Sequence, residues 1–177
     1  MGRTIRFLRP HVPRTIGNRD VTRQGRPGQS LMVPHDGPPT RTTMLTGFND
    51  HRGVLTVGET PSSLPFRVER FFLVSRVPEG EPRGIHAHKE CHQFLVCVAG
   101  SVKALFDDGN VREVISHDHP NLGLHMPPLT WGAQYDFSPD AVLLVLASHR
   151  YDPEDYIHEY DDFLAATEHR RTGSGAL

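Results

Sequence analysis

Short runs of apolar residues, separated by turn-forming residues, recur through the central part of the chain. The last of these runs, residues 141–147, is apolar almost throughout, which predicts a strand that is buried on both faces. Short strands at this spacing are typical of an antiparallel sandwich or barrel. The predicted strands lie within residues 54–57, 65–76, 94–98, 102–106, 111–115, 123–126 and 141–147.

Turns and one helix complete the predicted elements. The sequence Asp-Asp-Gly-Asn at 107–110 is a strong hairpin signal, and residues 49–53 have turn chemistry. Near the C-terminus, Asp152 can cap a helix that has Pro153 at its first position, and the charges of Glu154 and Asp155 suit its N-terminus. The helix face that we expect to pack against the barrel carries Tyr156, Tyr160, Phe163 and Leu164.

Composition divides the chain into three parts. Residues 1–44 contain eight Arg, six Pro and only two acidic residues, so this stretch buries little and breaks regular structure. We therefore predict a basic, disordered extension over 1–48, one folded domain over 49–166 and a flexible tail over 167–177. The Arg-rich start also resembles an organelle transit peptide, and a true start at Met32 or Met44 is the other alternative.

The charge and the apolar content exclude two classes of partner. A formal net charge of -2 gives no reason to expect nucleic acid or an anionic membrane surface as a partner. No apolar run approaches the roughly 20 residues that a membrane-spanning helix needs, so a soluble protein is expected.

Cys91 and Cys97 would lie about 20 Å apart on one extended strand and cannot bridge each other. With no secretory signal, we expect a reduced, cytoplasmic location.

Two histidines carry the candidate chemistry. An extended segment places His86 and His88 on the same face, because alternate side chains of a strand point the same way. Two imidazoles aimed into one cavity indicate proton transfer or metal ligation. Since the chain has 12 His, a chance pair on a solvated strand face is the competing interpretation.

The spacing around this pair resembles the metal-binding motifs of cupins, with two ligands missing. Gln93 stands where a cupin has its Glu ligand, and Gly132 stands where the last His ligand would be. Two histidines alone would hold a divalent transition metal weakly. His92 and His125 are the possible substitutes, but we interpret both as surface or turn residues. We therefore favour acid–base chemistry and predict no metal and no cofactor.

Several motifs together resemble one family, the dTDP-4-keto-6-deoxyglucose 3,4-ketoisomerases, also described as WxcM-like C-terminal cupins. The resemblance covers roughly residues 49–164 and rests on the segments 83–89, 93–96, 107–109, 136–138, 142–148 and 151–157. It implies an all-β cupin double-stranded β-helix, or jelly-roll barrel, with a C-terminal helix. It also implies a homodimer that acts without metal on a thymidine-diphosphate keto sugar, in deoxyamino-sugar and polysaccharide biosynthesis.

The reaction of that family requires loss of a proton from carbon 3, an enediol, and return of a proton to carbon 4. A neutral imidazole can take and return such a proton. We interpret His88 as the carbon base and His86 as the group that passes a proton between the two sugar oxygens, although the sequence does not decide which histidine does which.

The resemblance also suggests residues that bind the substrate. Arg83 and Arg52 are at positions that face the substrate in the family, where a guanidinium suits a diphosphate. Gln93 could donate to a sugar oxygen, and Trp131 could cover a sugar or base face. Arg52 as a solvated residue and Trp131 as a core residue are the alternatives.

Gly132 is the main departure from the family, whose members commonly have His or Arg after the tryptophan of this motif. We expect Tyr135 to supply the missing acid. The configuration of the product at carbon 4, galacto or gluco, is left open by this change. A cupin that only binds a nucleotide sugar and a metal-dependent cupin enzyme are the two rival functions.

Overall fold

The computed structural model describes residues 41–173, and all structural statements refer to this part of the chain. The predicted disorder of the basic extension therefore falls mostly outside the described residues. The regular elements of the described chain are twelve strands, one α-helix and one short 3-10 turn (Pro153–Asp155). The strands are β1 (Thr42–Met44), β2 (Thr46–Asp50), β3 (Gly53–Val57), β4 (Arg70–Ser75), β5 (Arg83–His88), β6 (Gln93–Ala99), β7 (Val102–Asp107), β8 (Arg112–His117), β9 (Leu122–Met126), β10 (Trp131–Tyr135), β11 (Val142–Ala147) and β12 (Tyr156–Ile157), and the helix is α1 (Tyr160–Gly173).

Ten of these strands form two five-stranded antiparallel sheets. The first sheet has the order β1-β9-β6-β11-β4 and the second has the order β12-β5-β10-β7-β8. The main core lies between them and takes side chains from both, among them Leu95, Phe106 and Leu143. Strands β2 and β3 form a separate two-stranded ribbon. This architecture confirms the predicted all-β jelly roll.

Strand β11 is buried on one face and half-buried on the other, so its apolar run predicted more burial than the structure shows. Leu143 and Val145 point into the main core. Leu146 packs on the other face, against a second cluster that contains Phe94 and Leu64. The long segment between β3 and β4 supplies much of this second layer, so it covers the outer side of the first sheet.

Regular structure extends beyond both ends of the predicted domain, residues 49–166. Strand β1 pairs with β9 before residue 49, and Leu45 is buried beside it. The guanidinium of Arg41 lies 4.3 Å from the ring centre of Phe106 and pairs with Glu113. At the other end, α1 continues to Gly173, past the predicted limit at 166. Apolar and ionic contacts with the barrel therefore order segments that composition alone assigned to the extension and the tail.

The C-terminal helix begins later than predicted. Asp152 does act as a cap, accepting a hydrogen bond of 2.9 Å from the Glu154 backbone N–H, but it caps a 3-10 turn of three residues. Strand β12 follows and pairs with the free edge of β5, so Tyr156 is in a strand. Within α1, Phe163 is fully buried, whereas Leu164 is partly exposed. No helix of the described chain is long and apolar enough to span a bilayer.

Candidate active site

Strand β5 brings the two predicted histidines together at the inner face of the second sheet. Alternation along β5 turns Gly84, His86 and His88 one way and buries Ala87 on the other side. The ring centres of His86 and His88 lie 4.9 Å apart, with the rings nearly perpendicular. Both histidines line a pocket whose other lining residues are Gly84, Cys91, Gln93, Met126, Pro127, Thr130, Gly132 and Gln134.

His88 has a hydrogen-bond partner at each ring nitrogen. Its Nδ1 donates to Oδ2 of Asp155 at 2.7 Å, since a carboxylate can only accept. Its Nε2 lies 2.9 Å from the amide nitrogen of Gln93, which donates to it. The other oxygen of Asp155 accepts the backbone N–H of Glu90 at 2.7 Å. Three segments of the chain therefore hold this imidazole in one orientation and one tautomer.

The pKa values of this pair reflect burial and mutual hydrogen bonding. Burial lowers the pKa of His88, and the carboxylate of Asp155 partly opposes that shift. Burial by itself would raise the pKa of Asp155, but the hydrogen bonds from Glu90 and His88 outweigh it and the pKa is lowered. Asp155 is therefore ionised at neutral pH and can stabilise a proton on His88.

His86 makes no side-chain hydrogen bond to any other residue of the described chain. Its ring lies 4.8 Å from that of Tyr156 and 6.3 Å from that of His158, centre to centre. Burial, followed by the neighbouring charges of His88 and His158, lowers the pKa of His86 to about 4. At neutral pH this imidazole is uncharged, and its nitrogen is free to accept a proton from a bound molecule.

Of the predicted substrate-binding residues Gln93, Arg83 and Arg52, one lines the pocket and two do not. Gln93 lines the pocket, and Arg83 is exposed at the start of β5, directly before Gly84. Arg52 is exposed on the β2–β3 ribbon, where it pairs with Asp50, and it does not line the pocket of its own chain.

Trp131 and Tyr135 do not line the pocket, so its geometry does not support the predicted roles of Trp131 in covering the substrate and of Tyr135 as a substrate-binding acid. Trp131 is buried on the other face of the sheet, in a cluster with Ala87 and Phe163. It meets the ring of Tyr160 edge to face at 5.3 Å. Alternation along β10 explains this placement: Gly132 and Gln134 line the pocket, so Trp131 and Tyr135 turn away from it.

A metal would have to compete with hydrogen bonds that already exist. Donor atoms of His88, Cys91 and Asp155 lie within 4.8 Å of one another. Both nitrogens of His88 and both oxygens of Asp155 are engaged, and Gln93 and Gly132 replace two cupin ligands.

The two histidines considered as substitute ligands lie elsewhere. His92 and His125 stack on each other, with Nδ1 of the first 3.0 Å from Nε2 of the second, and neither lines the pocket. The cluster of His88, Cys91 and Asp155 offers three possible metal ligands. The other residues that line the pocket fit proton transfer better than metal ligation.

Three functional candidates were not identified from the sequence: Asp155, Cys91 and Gln134. Asp155 was assigned a helix-terminal charge, although it lies within a segment that carried the family resemblance. Gln134 could have been found from alternation, because it lies two residues after Gly132 on the same strand. The contact between Asp155 and His88 joins residues far apart in sequence and leaves no local signal.

Comparisons with known proteins agree with this site. The family model described as FdtA, WxcM-like, C-terminal matches residues 39–168. The chain is 44% identical over 114 residues to a TDP-4-oxo-6-deoxy-alpha-D-glucose-3,4-oxoisomerase from Aneurinibacillus thermoaerophilus, covering 64% of this chain and 82% of that protein.

Two solved structures are similar in fold as well as in sequence. One is a histidine-to-asparagine variant of the 3,4-ketoisomerase QdtA from Thermoanaerobacterium thermosaccharolyticum, in complex with TDP-4-keto-6-deoxyglucose. It has 35% identity and a TM-score of 0.70, and the match covers 73% of this chain and 94% of that one. The other is the WlaRB TDP-quinovose 3,4-ketoisomerase from Campylobacter jejuni, with 36% identity, a TM-score of 0.67, and coverage of 70% and 95%.

Proposed function

This chain belongs to the FdtA, WxcM-like C-terminal family, and from this premise we propose that it isomerises TDP-4-keto-6-deoxyglucose to a TDP-3-keto-6-deoxyhexose. The observation that carries the proposal is the pair of pocket-lining imidazoles, one held by Asp155 and the other unbonded. A 3-keto product can be transaminated at carbon 3, so the reaction fits the biosynthesis of deoxyamino sugars.

The reaction is a proton transfer with no net change of oxidation state. A base removes the proton from carbon 3, which is acidic because the carbonyl lies next to it, and the carbonyl oxygen at carbon 4 gains a proton. The resulting enediol then loses the proton of its oxygen at carbon 3 and gains a proton at carbon 4. One carbon base and one group that moves a proton between the two oxygens are enough for both halves.

We assign the carbon base to His86, which reverses the assignment made from the sequence. Both nitrogens of His88 are already engaged, whereas His86 is unbonded and uncharged. The negative diphosphate of a bound substrate would raise the low pKa of His86 toward the range in which it can hold a proton. His88, steadied by Asp155, passes the proton between the two sugar oxygens through Nε2, which must exchange its hydrogen bond from Gln93 for one with the sugar.

Arg83 is the proposed contact for the diphosphate. It is exposed beside the pocket-lining Gly84, and its forked guanidinium can bind two phosphate oxygens at once. Gln93 is within reach of the reacting oxygens, because its amide already bonds His88 in the pocket.

A homodimer is the assembly that suits the exposed apolar surface. Phe71 and Leu73 of β4 are 67% and 57% exposed, and the β2–β3 ribbon exposes Phe48, Val54 and Leu55. Arg52 lies on this ribbon, outside its own pocket, so a substrate-binding role for Arg52 requires the ribbon of one copy to meet the pocket of another.

Light scattering after size-exclusion chromatography tests the dimer. The wild-type chain should run as a dimer and Phe71→Glu as a monomer, while Val114→Glu, an exposed apolar position on the other sheet, should not change the mass. A monomeric wild type at micromolar concentration would exclude the dimer.

We also propose a cytoplasmic location, because the two cysteines are free thiols.

Proton NMR in deuterated water tests the function. The wild-type chain with TDP-4-keto-6-deoxyglucose should give 3-keto signals, with deuterium entering the sugar. His86→Asn should abolish exchange at carbon 3, and His88→Asn should slow turnover while leaving some exchange. His119→Asn, at an exposed histidine, is the control. Full turnover in both active-site variants would contradict the proposed chemistry, and loss of exchange only in His88→Asn would restore the first assignment.

The second candidate function is a cupin that binds a nucleotide sugar without turning it over. Gly132 favours it, because this position contributes no side chain to the pocket. No isomerisation together with retained binding of the keto sugar would establish this function.

Stoichiometric zinc or iron in the purified protein would instead point to a metal-dependent enzyme that uses the donor cluster at His88, Cys91 and Asp155.

A further inference from the structure

We propose that Gln134 binds a sugar oxygen of the substrate next to the carbons that exchange the proton, an inference that rests on the proposed function. Gln134 is only 8% exposed, and it lines the pocket. Its amide makes no hydrogen bond to any other residue between 41 and 173. Its amide atoms remain accessible through the pocket, so their hydrogen-bonding groups are available to a molecule that enters it. A bound sugar can therefore replace water at this amide.

Two glycines make the space for this amide. Gly84 has a φ of 61°, and a Cβ built on it would lie 2.1 Å from Oε1 of Gln134. The side chain of Gln134 therefore lies directly over the backbone of β5, where no other residue type would leave room for it. The close approach and the positive φ both require glycine at position 84.

Gly132 supplies the second part of this space. A Cβ at Gly132 would lie 3.6 Å from Nε2 of Gln134 and 3.1 Å from Cε of Met126. A Cβ here would press on Met126 and touch the amide, so a longer side chain such as His or Arg would compete with both for this space. The missing side chain at 132 and the inward amide at 134 are thus complementary, and the amide occupies the part of the pocket that the glycine leaves open.

The register of the strands sets the amide close to the proposed base. Gly132 pairs directly with His86 across β10 and β5, and both residues line the pocket. Because Nε2 of Gln134 borders the space at Gly132, its N–H groups are on the His86 side of the pocket. An N–H aimed at this region can donate to the oxygen that becomes negative as the enediolate forms.

Thr130 provides a second unsatisfied group in the same pocket. Its Oγ1 is buried and makes no hydrogen bond within the described residues. Two polar side chains that make no hydrogen bond to other described residues therefore line one small pocket, and this pattern suits a ligand with several hydroxyl and carbonyl oxygens. Neither group titrates near neutral pH, so both can orient the sugar but cannot supply the proton that His or Arg could supply or stabilise at position 132.

Gln134→Met is the direct test, because methionine has nearly the same length and volume but no hydrogen-bonding amide. We expect kcat/KM for TDP-4-keto-6-deoxyglucose to fall about 100-fold or more, mainly through kcat, as for loss of one donor to a developing oxyanion. The Kd for TDP, which has no sugar at the reacting position, should be unchanged. Ala133→Ser, at the neighbouring residue of β10, is the control and should retain wild-type kinetics.

Each outcome decides the proposal. Wild-type kcat/KM in Gln134→Met would overturn it, and so would a parallel loss of TDP affinity and thermal stability, which would indicate a structural role. If the wild-type chain itself shows no turnover, the proposed function fails, and Gln134 is then judged by binding alone. In that case, loss of the preference for the keto sugar over TDP in Gln134→Met upholds the contact, and an unchanged preference overturns it.

Discussion

His88 and Asp155 are 67 residues apart in the chain, yet the imidazole Nδ1 and the carboxylate are 2.7 Å apart in the pocket wall. The contact joins the end of β5 to the 3-10 turn before β12, and the pairing of Tyr156 with His88 across these strands supports it. The same carboxylate also accepts the backbone N–H of Glu90. The C-terminal segment thus fixes both the orientation of His88 and the turn that follows it.

Asp155→Asn should impair catalysis more than folding. The neutral amide keeps the shape of the side chain but no longer stabilises a proton on His88, so the pKa of His88 should fall further. We therefore expect kcat to drop about tenfold or more. Steady-state kinetics and thermal unfolding check this. Asp152→Asn, in the cap of the same turn, should keep wild-type kcat because the side chain of Asp152 bonds only the backbone of Glu154. An unchanged kcat in Asp155→Asn would show that the carboxylate has only a structural role.

Local signals in the sequence predicted the sheets and the histidine pair, and long-range contacts explain what they missed. Alternation places His86 and His88 on one face whatever the rest of the chain does. The same rule did not locate Trp131, because the period of a strand does not say which of its faces is inward. Once Gly132 and Gln134 are known to line the pocket, Trp131 must lie outside it.

The end of the chain shows the same limit. Asp152 and Pro153 are correct helix-start signals, but the free edge of β5 captures the next residues as a strand before α1 can begin. No pattern within the C-terminal segment reveals that edge. For the same reason, Asp155 could be interpreted as a helix-terminal charge until its distant partner was known.

Trp131→Phe should change stability and leave substrate binding alone. Trp131 packs against Tyr160 and Phe163, so it joins α1 to the second sheet. The smaller ring leaves a cavity, and we expect the free energy of unfolding to fall by about 1–3 kcal/mol. Denaturant titration and the KM for the keto sugar provide the measurements. A higher KM with unchanged stability would instead support the role first predicted for Trp131, in covering the substrate.

His117 should make the fold sensitive to acid. Its side chain is fully buried, and neither ring nitrogen has a hydrogen-bond partner among the described residues. Burial lowers its pKa from the usual value of 6.5. As the pH falls below about 6.5, His117 binds a proton in the unfolded chain but stays neutral in the folded chain. The free energy of unfolding therefore decreases toward acid.

His117→Leu should remove this contribution. Near pH 7.5 the variant should be more stable by about 1 kcal/mol, because no unpaired polar group is buried. Between pH 7.5 and 5 it should lose less stability than the wild-type chain, although His86 and His125, each with a pKa of about 4, still contribute to the loss. Denaturant titrations at the two pH values provide the comparison. Equal losses in both proteins would show that His117 does not control the acid response.

The configuration of the product at carbon 4 depends on how many acids and bases reach the sugar carbons. The titratable side chains among the described pocket-lining residues are His86, His88 and Cys91. Of the two histidines, only His86 has its nitrogens free of hydrogen bonds. With His86 as the carbon base, the proton should leave carbon 3 and return to carbon 4 on the same face of the ring.

In 4-keto-6-deoxyglucose, the hydrogen at carbon 3 lies on the face opposite carbon 6. Return of a proton on that face places the new hydroxyl at carbon 4 on the same side as carbon 6, which is the galacto configuration. NMR of the product should therefore show a small coupling between the hydrogens at carbons 4 and 5 when the reaction is run in ordinary water. In deuterated water, incorporation at carbon 4 should be incomplete at early times, because one imidazole carries the substrate's own proton. A large coupling would mean that a second acid protonates the opposite face, which would contradict the assignment of His86 as the sole carbon acid and base.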